Sequence, residues 1–590
     1  MDEAPRTTRS RAARMPPVPR ILRTVVLRGT GTRASDAPGG RATRLLTAVA
    51  ATAAALTLAA PGGSGDPSRE EPHSLGPRGL DEAAASPLPF GPRDVAEAAA
   101  SPRATSPHAP LPLGPRRLAE ERFTQDVAPG VRYTRIVRGE PSPRDVYTVD
   151  VAFRAERAAA EAVAGELRAD GHDPAVLRVS ERAPDDPQRG PLGWLVRVGS
   201  FQTEPEAIAL RDRLTAEGYA GTRVVFTGED GGRTTGPWVV HVLELDGRHI
   251  HAQRRPVLDA ALANGIVPER ELLSDLARRT GAVASLNGGY FVIGPADGTP
   301  GDLAGISMLD GELVSESVGD RTSLVLTERR ATIDSVRTRL RARASDGATR
   351  EIDGLNRKPG LIRGCGGTGG DVPTEEPKHD FTCTDASELI LFTEAFGEAT
   401  EPGEGTEAAL DRHGRVTELR ETRGGAIPAG GSVLSGTGEG ADWLREHAHP
   451  GSRLVTWTSP AGHRTDIING GPRLLRNGNP SINAFAEGFH WPENPEFFYR
   501  FGVRRNPRTL AGVTASGKVL LVAIDGRRPG HSVGASFEES AAVMKALGAR
   551  DALNLDGGGS TGMTIGGDLV TRPSDPTGER PIADAILIGP

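Results

Sequence analysis

Cysteine is nearly absent. Cys365 and Cys383 are the only two in a chain of 590 residues. That excludes a disulfide-dense miniature scaffold and a Cys-rich zinc module. Aromatic residues make up only 4%. Lysine occurs at Lys358, Lys378, Lys518 and Lys545 alone, so nearly all the 70 cations are arginine. No apolar run reaches the ~18–20 residues of a spanning helix, which excludes a polytopic membrane protein. Net positive charge is lacking too. The formal charge is −7, which argues against a nucleic-acid partner. Plentiful instead are glycine (75) and proline (47), so long stretches must be turn or linker. The length suits two or three domains of roughly 100–200 residues.

Residues 1–44 carry ten arginines against three acids, and residues 45–60 form the uncharged run LLTAVAATAAALTLAA before Pro61-Gly62-Gly63. A basic region, an apolar segment and small residues read as a secretory signal over 1–60, with an uncleaved N-terminal anchor as the alternative. The implied location is extracytoplasmic, secreted or wall-associated. Export permits a disulfide between Cys365 and Cys383; two buried thiols are the alternative. Residues 61–118 are rich in Pro, Ala, Gly, Ser and Arg and repeat a Gly-Pro-Arg element at 76–78, 91–93 and 114–116. This composition cannot bury enough apolar surface to order itself and reads as a disordered spacer.

Residues 145–227 show a duplicated strand–helix–strand pattern. Tyr147, Val149 and Val151 alternate as in a half-buried strand. A helical run over 155–169 follows, with Gly171 where a C-terminal cap belongs. The second half repeats this with a strand over 195–201 and a helix whose apolar face holds Ala207, Leu210 and Leu214. The pattern predicts a βαββαβ sheet with helices on one face. The stretch VRVGSFQTEPEAIALRDRLTAEGY resembles a SPOR (sporulation-related repeat) domain, and VDVAFRAERAAAEAVAGELRADGH resembles a degenerate first copy without Gly-Ser-Phe. The resemblance implies binding to peptidoglycan glycan strands; a structural spacer is the alternative.

From 237 to 590 strands and turns alternate, with few helices. Strands are expected over 238–244, 283–286 and 518–524, and a short helix over 271–279. Ser536 and Glu539 form a capping box that opens the clearest helix, and Gly548 closes it. Three glycine-rich turns follow strands: Asn287-Gly288-Gly289, Asn469-Gly470-Gly471 and Asp556-Gly557-Gly558-Gly559, which leads into Ser560. Glycine lets backbone N–H groups come close to a ligand, and successive N–H groups make an anion nest. The bland reading of each is a tight turn with a turn-forming Asn or Asp. Three of one design, beside the Arg-rich segment 504–508, point to a phosphate-bearing substrate.

Several tempting motifs fail. GVTASGK (512–518) resembles a P-loop, but Val519 stands where a magnesium-binding hydroxyl is required. Gly558-Gly559-Ser560-Thr561-Gly562 matches a nucleophile elbow, yet no histidine follows Ser560 in the chain. No HExxH, EF-hand loop or paired CxxC occurs. His379, next to Asp380, reads as a loop residue. No cofactor is implied, although the Asp-bearing turns leave room for a divalent cation.

SLNGGYF (285–291), INGGPRLLRNG (468–478), NPRTLAGVTASGKVLLVAIDGRRPGHSVG (506–534) and ALNLDGGGSTGM (552–563) together resemble the phosphodiester glycosidase family. APGVRYTRIVRG (128–139) is assigned to the same domain, so 119–144 forms its N-terminal edge and 145–227 is an insert. Gly562, where Thr is commoner, and Asp584, where Asn is usual, depart from the pattern. The expected fold is α+β: a mixed-sheet catalytic domain over 237–590 with an inserted βαββαβ module.

The resemblance implies hydrolysis of the bond between a sugar's anomeric carbon and a phosphodiester, of the GlcNAc-1-phosphate type. A phosphomonoester leaves readily, so the site needs charge neutralisation and one working carboxylate. Arg508 and then Arg505 are the phosphate candidates. Asp556, Asp525 and Glu388 are the carboxylate candidates, in that order. Asn287 and Asn469 are candidates for sugar hydroxyls, with the turn glycines and Ser560 lining the site. The expected substrate is a wall polymer joined through a sugar-1-phosphate. A non-catalytic wall-binding scaffold and a phosphodiesterase releasing sugar-1-phosphate are the alternatives.

Overall fold

The computed structural model describes residues 109–246, 258–327, 330–363, 372–373, 382–460, 465–492 and 494–589. The expected signal, most of the spacer, Cys365 and His379 lie outside them. No helix among the described residues is long and apolar enough to cross a membrane.

The centre is an eight-stranded antiparallel sheet. Its order is Glu120–Ala128, Val131–Arg138, Trp238–Leu245, Val519–Ile524, Arg508–Thr514, Ala549–Asn554, Arg473–Arg476 and Asn479–Pro480. Most of its inner strands are buried on both faces and read as near-continuous apolar runs, VLLVAI above all. One face meets a five-stranded sheet that contains Ala284–Asn287, Met563–Ile565 and Asp584–Ile588. Leu521, Ala523 and Leu553 pack there against Leu286, Met563 and Ile586. The other face carries the Phe537–Ala546 helix and an aromatic cluster with Phe489, Phe498 and Tyr499. The Ser536–Glu539 capping box opens that helix, and Gly548 ends it at φ 95°. Sequence spacing placed a helix over 271–279; it spans Leu273–Thr280 and stops at Gly281, φ 70°.

A second lobe is built on Ile306, Leu340, Leu389, Leu434 and Leu454. It rejoins the centre through the Thr465–Ile468 strand, which runs straight into Asn469.

The 145–227 segment forms Tyr147–Arg154, Arg157–Ala169, Pro174–Val179, Gly193–Phe201, Glu204–Ala216 and Arg223–Phe226, in strand–helix–strand, strand–helix–strand order. Both helices lie on one face, over Val149, Val151, Val196 and Val198. The helix-free face is not open. Phe153 stacks on Tyr499 at 5.2 Å between ring centroids, and Leu195 and Val179 join the central core. Arg197 on that face bonds Asp150 at 2.7 Å and Asp230 at 2.5 Å, and Arg504 holds Asp230 from the other side. The module is therefore fused to the central sheet and its aromatic cluster rather than hung from them.

The spacer ends earlier than expected. Its reading to residue 118 is corrected at Leu111 and Leu113, which are buried. The Leu111 N–H donates to Glu120 and Arg138 Nε to the Leu113 carbonyl. Local composition missed this because the apolar partners, Trp238 among them, lie far off in sequence.

Candidate functional site

Backbone and amide bonds knit the three glycine turns into one knot. Asp556 N–H donates to the Gly288 carbonyl at 3.2 Å, and Asn287 Nδ2 donates to the Asp556 carbonyl at 2.8 Å. Asn287 Oδ1 accepts from Thr509 Oγ1 at 2.7 Å and from Gly562 N–H at 3.0 Å. Asn469 Oδ1 accepts the Tyr290 N–H at 2.7 Å. Gly471 N–H donates to the Asn554 carbonyl, and Tyr290 O–H to the Gly471 carbonyl. Glycine is needed here for closeness. A Cβ at Gly288 would stand 2.4 Å from Asp584 Oδ1, and one at Gly289 2.4 Å from Asn469 Nδ2. At Gly470 a Cβ would meet Leu553 at 2.7 Å.

This corrects the anion-nest reading of the first two turns. The N–H groups of Gly288 and Gly289 go to the carbonyl and carboxylate of Asp584, and that of Gly471 goes to Asn554. Asn287 and Asn469 are likewise spent on the protein itself, as loop clamps. The third turn differs. Gly558 adopts φ 60°, and its N–H donates to the Pro507 carbonyl. Asp556 and Gly557 are half-buried at the rim, and Ser560 Oγ is buried without a hydrogen-bond partner.

Two guanidinium groups flank this third turn. Arg527, exposed and at φ 52°, donates Nε and Nη2 to Asn506 Oδ1. Its Nη1 would stand 3.4 Å from a Cβ at Gly558. Arg580, half-buried and bonded to Asp575, would stand 2.2 Å from a Cβ at Gly559. A left-handed arginine is uncommon, and such strain gathers at functional positions.

The arginines singled out by sequence lie elsewhere. Arg508 is buried beneath Phe537 and Phe501, with its guanidinium 4.4 Å and 5.6 Å from their centroids. It donates to the carbonyls of Ala535, Phe501 and Arg504. Burial holds its pKa below the usual guanidinium range. Arg505 bonds Glu539 and the carbonyls of Gly228 and Gly232, and so clamps the exit loop of the inserted module.

The carboxylates separate as well. Asp525 ends the Val519–Ile524 strand inside a polar chain: Tyr133 O–H meets His241 Nδ1 at 2.8 Å, and Asp525 Oδ2 meets His531 Nε2 at 2.7 Å and His241 Nε2 at 3.4 Å. Burial alone would raise its pKa, but the two histidines override that and hold it at about 2. Glu388 is not brought to the knot. Both its oxygens are bound, by Arg357 at 2.5 Å and 3.1 Å and by Gly360 N–H at 2.5 Å, within the second lobe. The fold buries it there because Arg357 also pairs with Glu316. Asp556 remains the rim carboxylate.

The sequence named none of three neighbours as a site residue, although Asp584 stood out as a departure from the family pattern. Asn554 lies two residues before Asp556; its Nδ2 meets Tyr290 O–H at 2.7 Å, and its Oδ1 is buried without a partner. Asp584 accepts the Gly289 N–H, while its second oxygen is buried and unpartnered. Burial first and Asp556 next raise its pKa to about 7. Glu229, at the module's exit, bonds Arg504 at 3.3 Å. Burial lifts its pKa to about 7 against the pull of Arg504 and Arg527. The signal for Arg527 was in hand, since it sits inside the 506–534 motif, whereas Arg580 lies beyond the last quoted motif and only the fold brings it to the turn. Among the described residues no group of three His, Cys, Asp or Glu is gathered as for a metal ion.

With this geometry in view, the comparisons are specific. The phosphodiester glycosidase family profile matches residues 404–589, and that of the SPOR domain matches 143–224. A crystal structure from Burkholderia pseudomallei, of a protein described as exported, is 34% identical with a TM-score of 0.75. The alignment covers 83% of this chain and 100% of that one. The Mus musculus N-acetylglucosamine-1-phosphodiester alpha-N-acetylglucosaminidase is 30% identical over 118 residues, 20% of this chain and 22% of the relative. The match thus spans about a fifth of that curated relative's length. The chain carries a phosphodiester glycosidase domain, matched over 404–589, and a SPOR domain.

Proposed function

We propose that this chain hydrolyses the glycosidic bond of a sugar-1-phosphodiester at the Asp556 turn. Arg527 and Arg580, rather than Arg508 and Arg505, neutralise the phosphate. Both side chains reach solvent, whereas Arg508 and Arg505 are spent on internal carbonyls and Glu539. Asp556 takes a proton from water as the water oxygen bonds the anomeric carbon. The bond from that carbon to the phosphate oxygen breaks, and its electron pair leaves with the phosphomonoester.

The observation that carries the reading is the pair of guanidinium groups over the glycines that follow Asp556. The test is turnover of a methyl GlcNAc-1-phosphodiester by the full chain. Free GlcNAc and a phosphomonoester are expected, with both lost in Asp556→Asn. Sugar-1-phosphate as the product would establish the phosphodiesterase reading instead.

Three further elements belong to the proposal. Export by a signal in residues 1–60 agrees with a SPOR domain and an exported relative. A Cys365–Cys383 disulfide fits the burial of Cys383. Glycan binding by the module uses surfaces other than the helix-free face, which Tyr499 and Arg504 already occupy.

A further inference from the structure

In the second lobe, Arg339–Ala344 is the middle strand of a three-stranded sheet, between Thr349–Glu351 and Leu454–Ser459. Its residues alternate strictly. Leu340, Ala342 and Ala344 point into the lobe's core, and Arg339, Arg341 and Arg343 are exposed. Side chains two apart on a strand stand about 7 Å from each other, so the three guanidinium groups form a row. Trp457 lies directly opposite Arg341 in the antiparallel register and is 47% exposed. Ser459 faces Arg339, and Val455 faces Arg343. The acid bordering this row in register is Glu351, 3.7 Å from Arg341, with both side chains more than half exposed. Such a pair is worth little in water, so the face keeps its positive charge in a chain whose formal charge is −7.

Nothing in the core requires this arrangement. An indole that size is normally buried, and three exposed arginines in line repel one another. A flat aromatic face beside guanidinium groups binds ligands that offer both a ring face and anionic oxygens. Sugar rings alternating with phosphates have that chemistry.

We propose that the Arg339–Arg341–Arg343 row and Trp457 form a second, non-catalytic site for an extended anionic glycan in which sugars alternate with phosphodiesters. The inference rests on the catalytic reading above and narrows its substrate from a small diester to a polymer. Trp457 precedes the Asn469 turn by 12 residues, so chain length alone keeps the two sites within roughly 40 Å. A polymer of several units held on this face is long enough to span that distance.

The test uses the full chain with two probes: a methyl GlcNAc-1-phosphodiester and a fluorescent oligomer of GlcNAc-1-phosphodiester units. Variants are Trp457→Ala and the triple Arg339→Ser, Arg341→Ser, Arg343→Ser; the altered side chains point outward, so folding is retained. Both variants are expected to turn over the small diester at the parental rate and bind the oligomer roughly tenfold more weakly. The triple variant also shows a shallower salt dependence. Parental oligomer affinity in both variants overturns the proposal. So does single-stranded DNA of equal charge that binds as tightly as the oligomer and is lost in parallel. If the parent turns over neither probe, the catalytic reading fails, and oligomer binding still decides this one.

Discussion

Asp584 accepts the N–H of Gly289 through one carboxyl oxygen at 2.8 Å and keeps the other buried without a partner. The Gly288 N–H donates to the carbonyl of the same residue, and Asp556 N–H donates onward to Gly288. Asp584 is thus the floor under the turn that positions the rim carboxylate. Its pKa is raised from 3.8 to about 7 by burial and by Asp556. Between pH ~4 and ~7 the folded chain keeps a proton that the unfolded chain has released, so this group lowers stability as pH rises. Asp584→Asn should remove that slope. Urea midpoints should place the variant roughly 3 kcal/mol above the parent at pH 8 and much closer to it at pH 4.5. An equal gap at both pH values would refute the assignment.

Asp525 behaves in the opposite sense. With its pKa lowered to about 2 by His241 and His531 against the cost of burial, its contribution is present above pH ~4 and lost as pH falls through about 2. Removal of the charge in Asp525→Asn should cost about 2 kcal/mol at neutral pH and little near pH 2. Acid titration followed by circular dichroism would check this. A variant that unfolds at the parental pH midpoint would show that the His–Asp–His chain carries no such stability.

The arginines divide by role. Arg508→Met strands carbonyls of Ala535, Phe501 and Arg504 in an aromatic core. Each lost acceptor costs about 1–3 kcal/mol, so thermal unfolding should drop by many degrees. Arg527→Ala loses bonds at an exposed position and should unfold near the parental temperature. Its kcat/KM for the small diester should nonetheless fall by roughly a hundredfold or more. If stability and activity losses were exchanged between the two variants, Arg508 would return as the phosphate ligand.

Much of the frame was legible because it obeys local rules. The apolar run 519–524, the Ser536 capping box and the alternation at 147–151 each specify an element from neighbours in sequence. The glycine turns were legible as a set, and Asn287, Thr509 and Asp556 do converge. What could not be read was direction. A strand reverses its side chains at every residue, so Arg508 and Thr509 face opposite sides of the sheet, and only one side meets the Asp556 turn. Likewise Arg505 has its donors taken by Gly228 and Gly232, more than 270 residues away. Glu388 finds Arg357 by the same kind of long-range pairing. No local pattern encodes those partners.

The inserted module reaches the site through Glu229. Its carboxylate pairs with Arg504 and lies near enough to Arg527 to be pulled toward the charged form, while burial lifts its pKa to about 7. Below that value the group is neutral and Arg527 has its full charge for phosphate. Above it the carboxylate competes with the substrate for the same guanidinium. The sign is therefore fixed: KM for the small diester should rise from pH 6 to pH 8 in the parent. Glu229→Gln should abolish this rise, matching the parent at pH 6 and showing a KM several-fold lower at pH 8. kcat should hardly change, because Glu229 does not touch the reacting bond. A variant whose KM tracks the parent across the whole range would mean that the module fixes the loop without tuning the site.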